Sequence, residues 1–169
     1  GRRIVAAGTG NPAGNSTGNS TGKPNASGHV FDAVTGKFVG TTGHKSGLVT
    51  ALDISPDGQV VSWATTEDVP SYFNPDERST SGQRTRSPAT TRALCFVDKS
   101  FVAVAHADGG LQLNNARLVY GNDEAAHMAQ WSPVDHRLAT ACFDQKVRIW
   151  KPGTQEPLLV LDGATQRIE

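Results

Sequence analysis

Asp123 and Glu124 stand four and three residues before His127, close enough in the chain to share a proton or hold a metal ion. Acid–base work needs such groups aimed at one point, and nothing else nearby supplies a third. A solvated loop between structural repeats accounts for them better. The other histidines, His29, His44, His106 and His136, are scattered, with no Ser/His/Asp order and no Gly-x-Ser-x-Gly nucleophile elbow. Gly8-Thr9-Gly10 lacks the Lys-Ser/Thr that a phosphate loop requires. Cys95 and Cys142 each lie in an apolar run, without a Cys-x-x-Cys pair or a Cys/His cluster. They read as small buried hydrophobes, not as zinc ligands, and imply a reducing compartment. The sequence therefore assigns no catalytic residue, no cofactor and no metal.

The densest charge lies in a polar stretch that carries Arg78, Arg84, Arg86 and Arg92 beside Asp76 and Glu77, a local net charge of +2. Guanidinium groups at this spacing could hold phosphate or an acidic partner, and Arg86-Ser87-Pro88 could accept a phosphate. Arg78, Arg84 and Arg86 are the candidate partner-binding residues of this loop. No aromatic residues interleave with them, so base stacking has no support. Over the whole chain 16 Lys+Arg balance 16 Asp+Glu, which excludes bulk attraction to nucleic acid or anionic membrane. A small-molecule ligand is not indicated either. Asn-x-Ser/Thr triplets at Asn15, Asn19 and Asn25 arise in a Gly/Ser/Thr/Asn-rich run and read as incidental. The chain starts at Gly1 without an initiator Met, so targeting is not judged from it.

The elements that must position these groups are short strands. Apolar runs such as Phe101-Val102-Ala103-Val104-Ala105 are brief, and 18 Gly with 9 Pro punctuate the chain. Strands are expected at residues 3–7, 28–32, 37–40, 48–54, 60–64 and 71–73, the last weakened by Pro70. Further strands are expected at 92–96, 101–105, 111–113, 117–120, 127–131, 137–142, 146–150 and 157–161. Residues 8–28 form a low-complexity run that reads as a surface loop. Residues 74–91 read as a polar linker or loop between one group of repeats over 1–73 and a second over 92–169. The first-strand landmark recurs at Ile54, Phe96 and Trp131, intervals of 42 and 35 residues. These bracket the roughly 40-residue period of a four-stranded propeller blade.

Asp144-Gln145-Lys146-Val147-Arg148-Ile149-Trp150 resembles the Asp-x-x-Val-Arg-Ile-Trp strand of WD40 repeats. Ser55-Pro56-Asp57-Gly58 is similar to the first hairpin of that family, and Gly43-His44 to its opening dipeptide. Val30-Phe31-Asp32-Ala33-Val34-Thr35-Gly36 resembles Val-Trp-Asp-x-x-Thr-Gly with Phe for Trp. The resemblance implies an all-β fold: a β-propeller of four-stranded antiparallel blades, three complete and one partial at the front without a first strand. Residues 164–169 could open a further first strand, and the whole reads as a stretch of a larger propeller. The resemblance also implies a buried polar chain in each blade. His44, Thr66 and Asp68 would belong to it in the second unit, with Asn74 at the Trp position. Asp144 and Trp150 would belong to it in the fourth, with Asn122 and Cys142 in the other two places. These are structural roles.

The expected function is that of a non-catalytic scaffold for protein–protein interaction, with the generic WD40 subunit of a multiprotein complex as an alternative and a propeller enzyme as a remote one. The order of Gly28 to Gly36, Gly43-His44, a degenerate repeat, the polar stretch and Phe101-Val102-Ala103-Val104 is similar to the middle of the actin-interacting protein 1 family. That resemblance implies partnership with actin and cofilin in filament disassembly and a cytoplasmic, cytoskeletal location.

Overall fold

The computed structural model describes residues 3–9, 25–42, 45–67, 70–77, 79–82, 89–99, 101–113, 116–120 and 125–162, all as strands, turns and irregular segments. Four antiparallel sheets follow one another along the chain. The first joins β1 (Arg3–Thr9), β2 (Asn25–Asp32) and β3 (Phe38–Thr41), with the short β4 (Lys45–Ser46) also pairing with β2. The second is β5 (Val49–Ile54), β6 (Val61–Thr65), β7 (Ser71–Asn74) and β8 (Ser79–Gly82). The third is β9 (Thr91–Phe96), β10 (Val102–His106), β11 (Gly110–Leu113) and β12 (Ala116–Tyr120). The fourth is β13 (Ala126–Ser132), β14 (Arg137–Cys142), β15 (Val147–Trp150) and β16 (Leu159–Leu161). In the last three sheets strand order equals chain order, so each is a meander closed by turns of a few residues.

The turns form where the side chains supply acceptors. In Ser55-Pro56-Asp57-Gly58 the Ser55 hydroxyl donates to Asp57 Oδ1 at 2.6 Å, and the same carboxylate oxygen accepts the Gln59 amide at 3.0 Å. Gly58 takes the left-handed φ of 74° that the turn demands. Ser132 and Asp135 repeat the device in the fourth sheet, where the Asp135 amide donates to Ser132 Oγ at 3.3 Å.

Among the described residues the second and third sheets pack through both faces, the first and fourth through one. Ala93, Cys95, Ala103, Ala105 and Leu111 of the third meet Trp131, Leu138 and Trp150 of the fourth. Leu94, Phe96, Val102 and Val104 meet Ala64 and Tyr72 of the second. Val5 and Val30 of the first meet Val61 and Phe73. Each inner strand lies against the next inner strand, β5 against β9 and β9 against β13, while the second strands β6 and β10 touch the inner strand that follows them. β1 touches β5 in that second-strand manner. Among the described residues the front sheet thus lacks an inner strand, as the sequence led us to expect.

Two expectations need correction. The stretch 74–91, read as linker or loop, contains the outer strand Ser79–Gly82, and Asn74 ends β7. An outermost strand pairs through backbone alone and needs no apolar side chain, so Ser79-Thr80-Ser81-Gly82 gives no hydrophobic signal. Likewise 8–28 is not all loop. Gly8 and Thr9 pair with Ser27 and Ala26 across β1 and β2, and both of those partners are buried. Small residues there allow close approach where a bulky core residue has no room.

Candidate interaction surface

Trp150 sits at the end of β15 because the alternating Val147-Arg148-Ile149-Trp150 places it opposite Leu138, on the face that meets the third sheet. Its indole N–H donates to Thr140 Oγ1 at 2.9 Å, with both side chains buried. One register step along the same face, Arg148 pairs with Asp144 at 2.6 Å, and the Lys146 amide donates to the other Asp144 oxygen at 3.1 Å. The Arg148 hydrogen bond holds the Asp144 carboxyl below its ordinary range, and Asp144 in turn raises the Arg148 guanidinium. Thr140 is therefore the hydroxyl partner of Trp150, where the sequence pattern pointed to Cys142. Cys142 is two residues further along β14, its thiol 4.0 Å from Thr140 Oγ1 and its pKa raised, above all by burial.

The second sheet solves the same problem with rings. The Ser-Pro turns align Ile54↔Val61 with Trp131↔Leu138, so Val61↔Phe73 occupies the place of Leu138↔Trp150. Phe73, not Asn74, stands at the Trp150 position, and Trp63 stands where Thr140 does. Asn74 instead caps the following turn, its Oδ1 accepting the Asp76 amide at 3.0 Å. Thr66 lies at the outer end of β6. Its hydroxyl oxygen accepts the Leu48 amide at 3.1 Å. Gly47, at φ 96°, passes so close that an added Cβ would lie 2.5 Å from that hydroxyl. His44 and Asp68, the other two expected members of this chain, lie outside the described residues, as does Asn122. Sequence spacing misses Phe73 because counting on from Asp68 as from Asp144 to Trp150 leads to Asn74, whereas Phe73 follows its partner Val61 at the same interval as Trp150 follows Leu138.

Among the described residues, the groups that could do chemistry are dispersed. His29 lies 3.3 Å from Ser27 Oγ through Nε2 and packs on the Phe38 ring. His106 is buried with Nδ1 3.2 Å from the Ala89 carbonyl. His127 packs on Phe143 with ring centroids 5.0 Å apart, and His136 sits in a turn against Trp131. Asp123 and Glu124 lie outside the described residues. Among the described residues no three His, Cys, Asp or Glu side chains gather to hold a metal. Burial raises Cys95 to about 12, with Asp53 adding to the effect, and Tyr72 to about 12 by burial alone. A cleft between the third and fourth sheets is lined mainly by Leu111, Leu113, Trp131, Leu138 and Trp150, with Gln112 and Lys151 also on its walls. Of the arginine-rich segment, Arg78, Arg84 and Arg86 lie outside the described residues, while Arg92 is exposed on β9. The described turns at the sheet ends present side chains such as Asp57 and Val134 to solvent.

The WD domain, G-beta repeat family model matches residues 36–68 and 119–151. No curated protein matches the sequence. Among solved structures, the C-terminal WD40 domain of Sif2 superposes with a TM-score of 0.68 at 13% sequence identity, over 86% of this chain and 44% of that one. The chain thus spans less than half the length of that domain, and at such identity the likeness concerns the fold. Four successive antiparallel sheets, the Asp144–Arg148–Thr140–Trp150 face and two matched repeats lead to one assignment: the chain has the fold of β-propeller blades and carries WD40 repeats at 36–68 and 119–151.

Proposed function

We propose that this chain is a non-catalytic scaffold that binds other proteins through the turns and connecting segments at the ends of its sheets. One observation carries the reading: several of the described charged and hydroxyl groups are spent on the fold. Asp57 and Asp144 hold turns, Asp53 ties two sheets together, and Thr140 serves Trp150. WD40 repeats in general support protein interaction, and the variable sheet ends are where a rigid frame presents it. Cross-linking mass spectrometry on the native complex tests this. Reproducible links from turns such as 55–59 and 132–136 to one partner support the scaffold. Substrate turnover by the purified protein would overturn it.

The finer reading is a regulator of actin-filament disassembly that works with cofilin in the cytoplasm. Its support is the order of repeat landmarks from Gly28 to Val104 and the polar stretch 74–91 between them. Co-sedimentation with cofilin-decorated filaments and faster filament loss are the expected results. A polypeptide that does neither is a scaffold of some other complex.

A further inference from the structure

The inner strands β5, β9 and β13 each carry one extra residue, four positions before Ile54, Phe96 and Trp131. In β5 Val49 pairs with Thr65 and Ala51 with Ala64, which leaves Thr50 between them. In β9 Thr91 pairs with His106 and Ala93 with Ala105, which leaves Arg92. In β13 Ala126 pairs with Cys142 and Met128 with Ala141, which leaves His127. One backbone hydrogen bond closes each bulge. The Thr66 N–H donates to the Leu48 carbonyl at 2.9 Å, that of Ala107 to Thr90 at 2.8 Å, and that of Phe143 to Ala125 at 3.1 Å. A bulge takes its extra side chain out of the alternation that buries its neighbours.

The three extra residues stand at one height. Asp53 Oδ2 accepts the Phe96 amide at 2.8 Å, and the Cys95 sulfur accepts the Trp131 amide, so equivalent residues of β5, β9 and β13 are level with one another. β5 packs against β9, and β9 against β13. Arg92 is therefore flanked by Thr50 and His127, and it is exposed. Thr50 Oγ1 and both ring nitrogens of His127 are buried, without a hydrogen-bond partner among the described residues. Buried polar atoms of this kind call for a partner. The bulge itself does not select the side chain, since one hydrogen-bond pattern holds Thr, Arg and His alike. A hydroxyl, a guanidinium and an imidazole share the capacity to donate.

We propose that Thr50, Arg92 and His127 form an anion site for a carboxylate or phosphate group carried by a partner protein. The inference rests on the scaffold reading and gives it a chemistry. The Arg92 guanidinium holds either group through two parallel hydrogen bonds. The Thr50 hydroxyl and a His127 ring N–H, one on each side, donate to the remaining oxygens. The anion thus supplies the acceptor that both buried groups lack.

Titration of the purified polypeptide with inorganic phosphate and, separately, with an octaglutamate peptide, followed by NMR, is the test. At least one probe is expected to shift signals centred on residues 50, 92 and 127. A response to phosphate alone identifies a phosphorylated partner, and a response to octaglutamate alone an acidic one. Arg92→Gln should weaken the response about tenfold or more. Arg137→Gln, exposed and paired with Ser132 at the other end of β13, should leave it unchanged. Three results would overturn the proposal: no response to either probe, a response that Arg137→Gln weakens as much as Arg92→Gln, or an Arg92→Gln variant that melts lower and binds as the parent does. The scaffold reading survives each of them, because its cross-links from 55–59 and 132–136 arise at the opposite ends of the sheets.

Discussion

Asp53 Oδ2 accepts the backbone N–H of Phe96 at 2.8 Å, across the seam between the second and third sheets. β9 is an inner strand with one hydrogen-bonded neighbour, so amides on its other edge have no partner within the sheet. The carboxylate supplies one, and its second oxygen accepts the Ile54 amide at 2.8 Å. Asp53→Ala strands both amides. The expected cost is about 1–3 kcal/mol in urea denaturation. Faster hydrogen exchange at the Phe96 amide, with exchange in the fourth sheet unchanged, would locate the loss at this seam.

The Trp150–Thr140 hydrogen bond calls for a double-mutant cycle. Thr140→Val keeps the shape of the buried side chain but leaves the indole N–H unpaired, at an expected cost of about 1–3 kcal/mol. Adding Trp150→Phe to Thr140→Val removes the stranded donor. The double variant should then lose less than the sum of the two single variants, a coupling of about 0.5–3 kcal/mol. Strict additivity would mean that the indole N–H finds another acceptor.

How far the sequence could be read depends on what each residue answers to. Asp144 to Trp150 was legible because it resembles the Asp-x-x-Val-Arg-Ile-Trp strand of WD40 repeats, and its alternation puts Trp150 on the buried face. Ser55-Pro56-Asp57-Gly58 was legible because its bonds are local. Phe73 was not legible as the counterpart of Trp150, since a count taken from Asp68 leads to Asn74 and only the pairing of Val61 with Phe73 sets the register. The outer strand Ser79–Gly82 was hidden for another reason. It is held by backbone pairing with β7, which leaves no periodic trace in side-chain type. The candidate partner-binding arginines were legible as charge, but charge alone does not say what they touch.

Acid should weaken the fourth sheet in a defined window. Asp144 is held below its ordinary range in the folded chain, chiefly by Arg148, so the unfolded chain binds its proton first as pH falls. The stability from this pair is complete above the unfolded carboxylate value of about 4 and is lost as pH drops through the lower folded value. Asp144→Asn removes that titration and leaves the Arg148 guanidinium, only 5% exposed, facing a neutral amide. The variant should be less stable at neutral pH by about 1–3 kcal/mol and should show a shallower acid limb. Thermal melts from pH 7 to 2 measure both.

Thiol labelling reports whole-molecule unfolding. Cys95 is 2% exposed with its pKa raised to about 12, and Cys142 is wholly buried. At neutral pH neither presents a thiolate to a reagent. Both should react with an aromatic disulfide only at the rate of global opening, and both at the same rate. A faster Cys142 would show that the outer part of the fourth sheet opens on its own.

Gln145 turns the corner between β14 and β15 at φ 67°, a left-handed conformation that favours glycine. The third sheet makes the corresponding turn with Gly109 at φ 79°, after Asp108, whose Oδ1 accepts the Gly110 amide at 2.9 Å as Asp144 accepts that of Lys146. The two turns share one geometry, and only one has the residue suited to it. A left-handed non-glycine residue costs about 1–2 kcal/mol, while glycine loses more chain entropy on folding by about 0.5–1 kcal/mol. Gln145→Gly should therefore stabilise the protein by up to about 1 kcal/mol, seen as a higher urea midpoint at unchanged slope. Gln145→Val, branched at Cβ, should do the opposite by a larger margin.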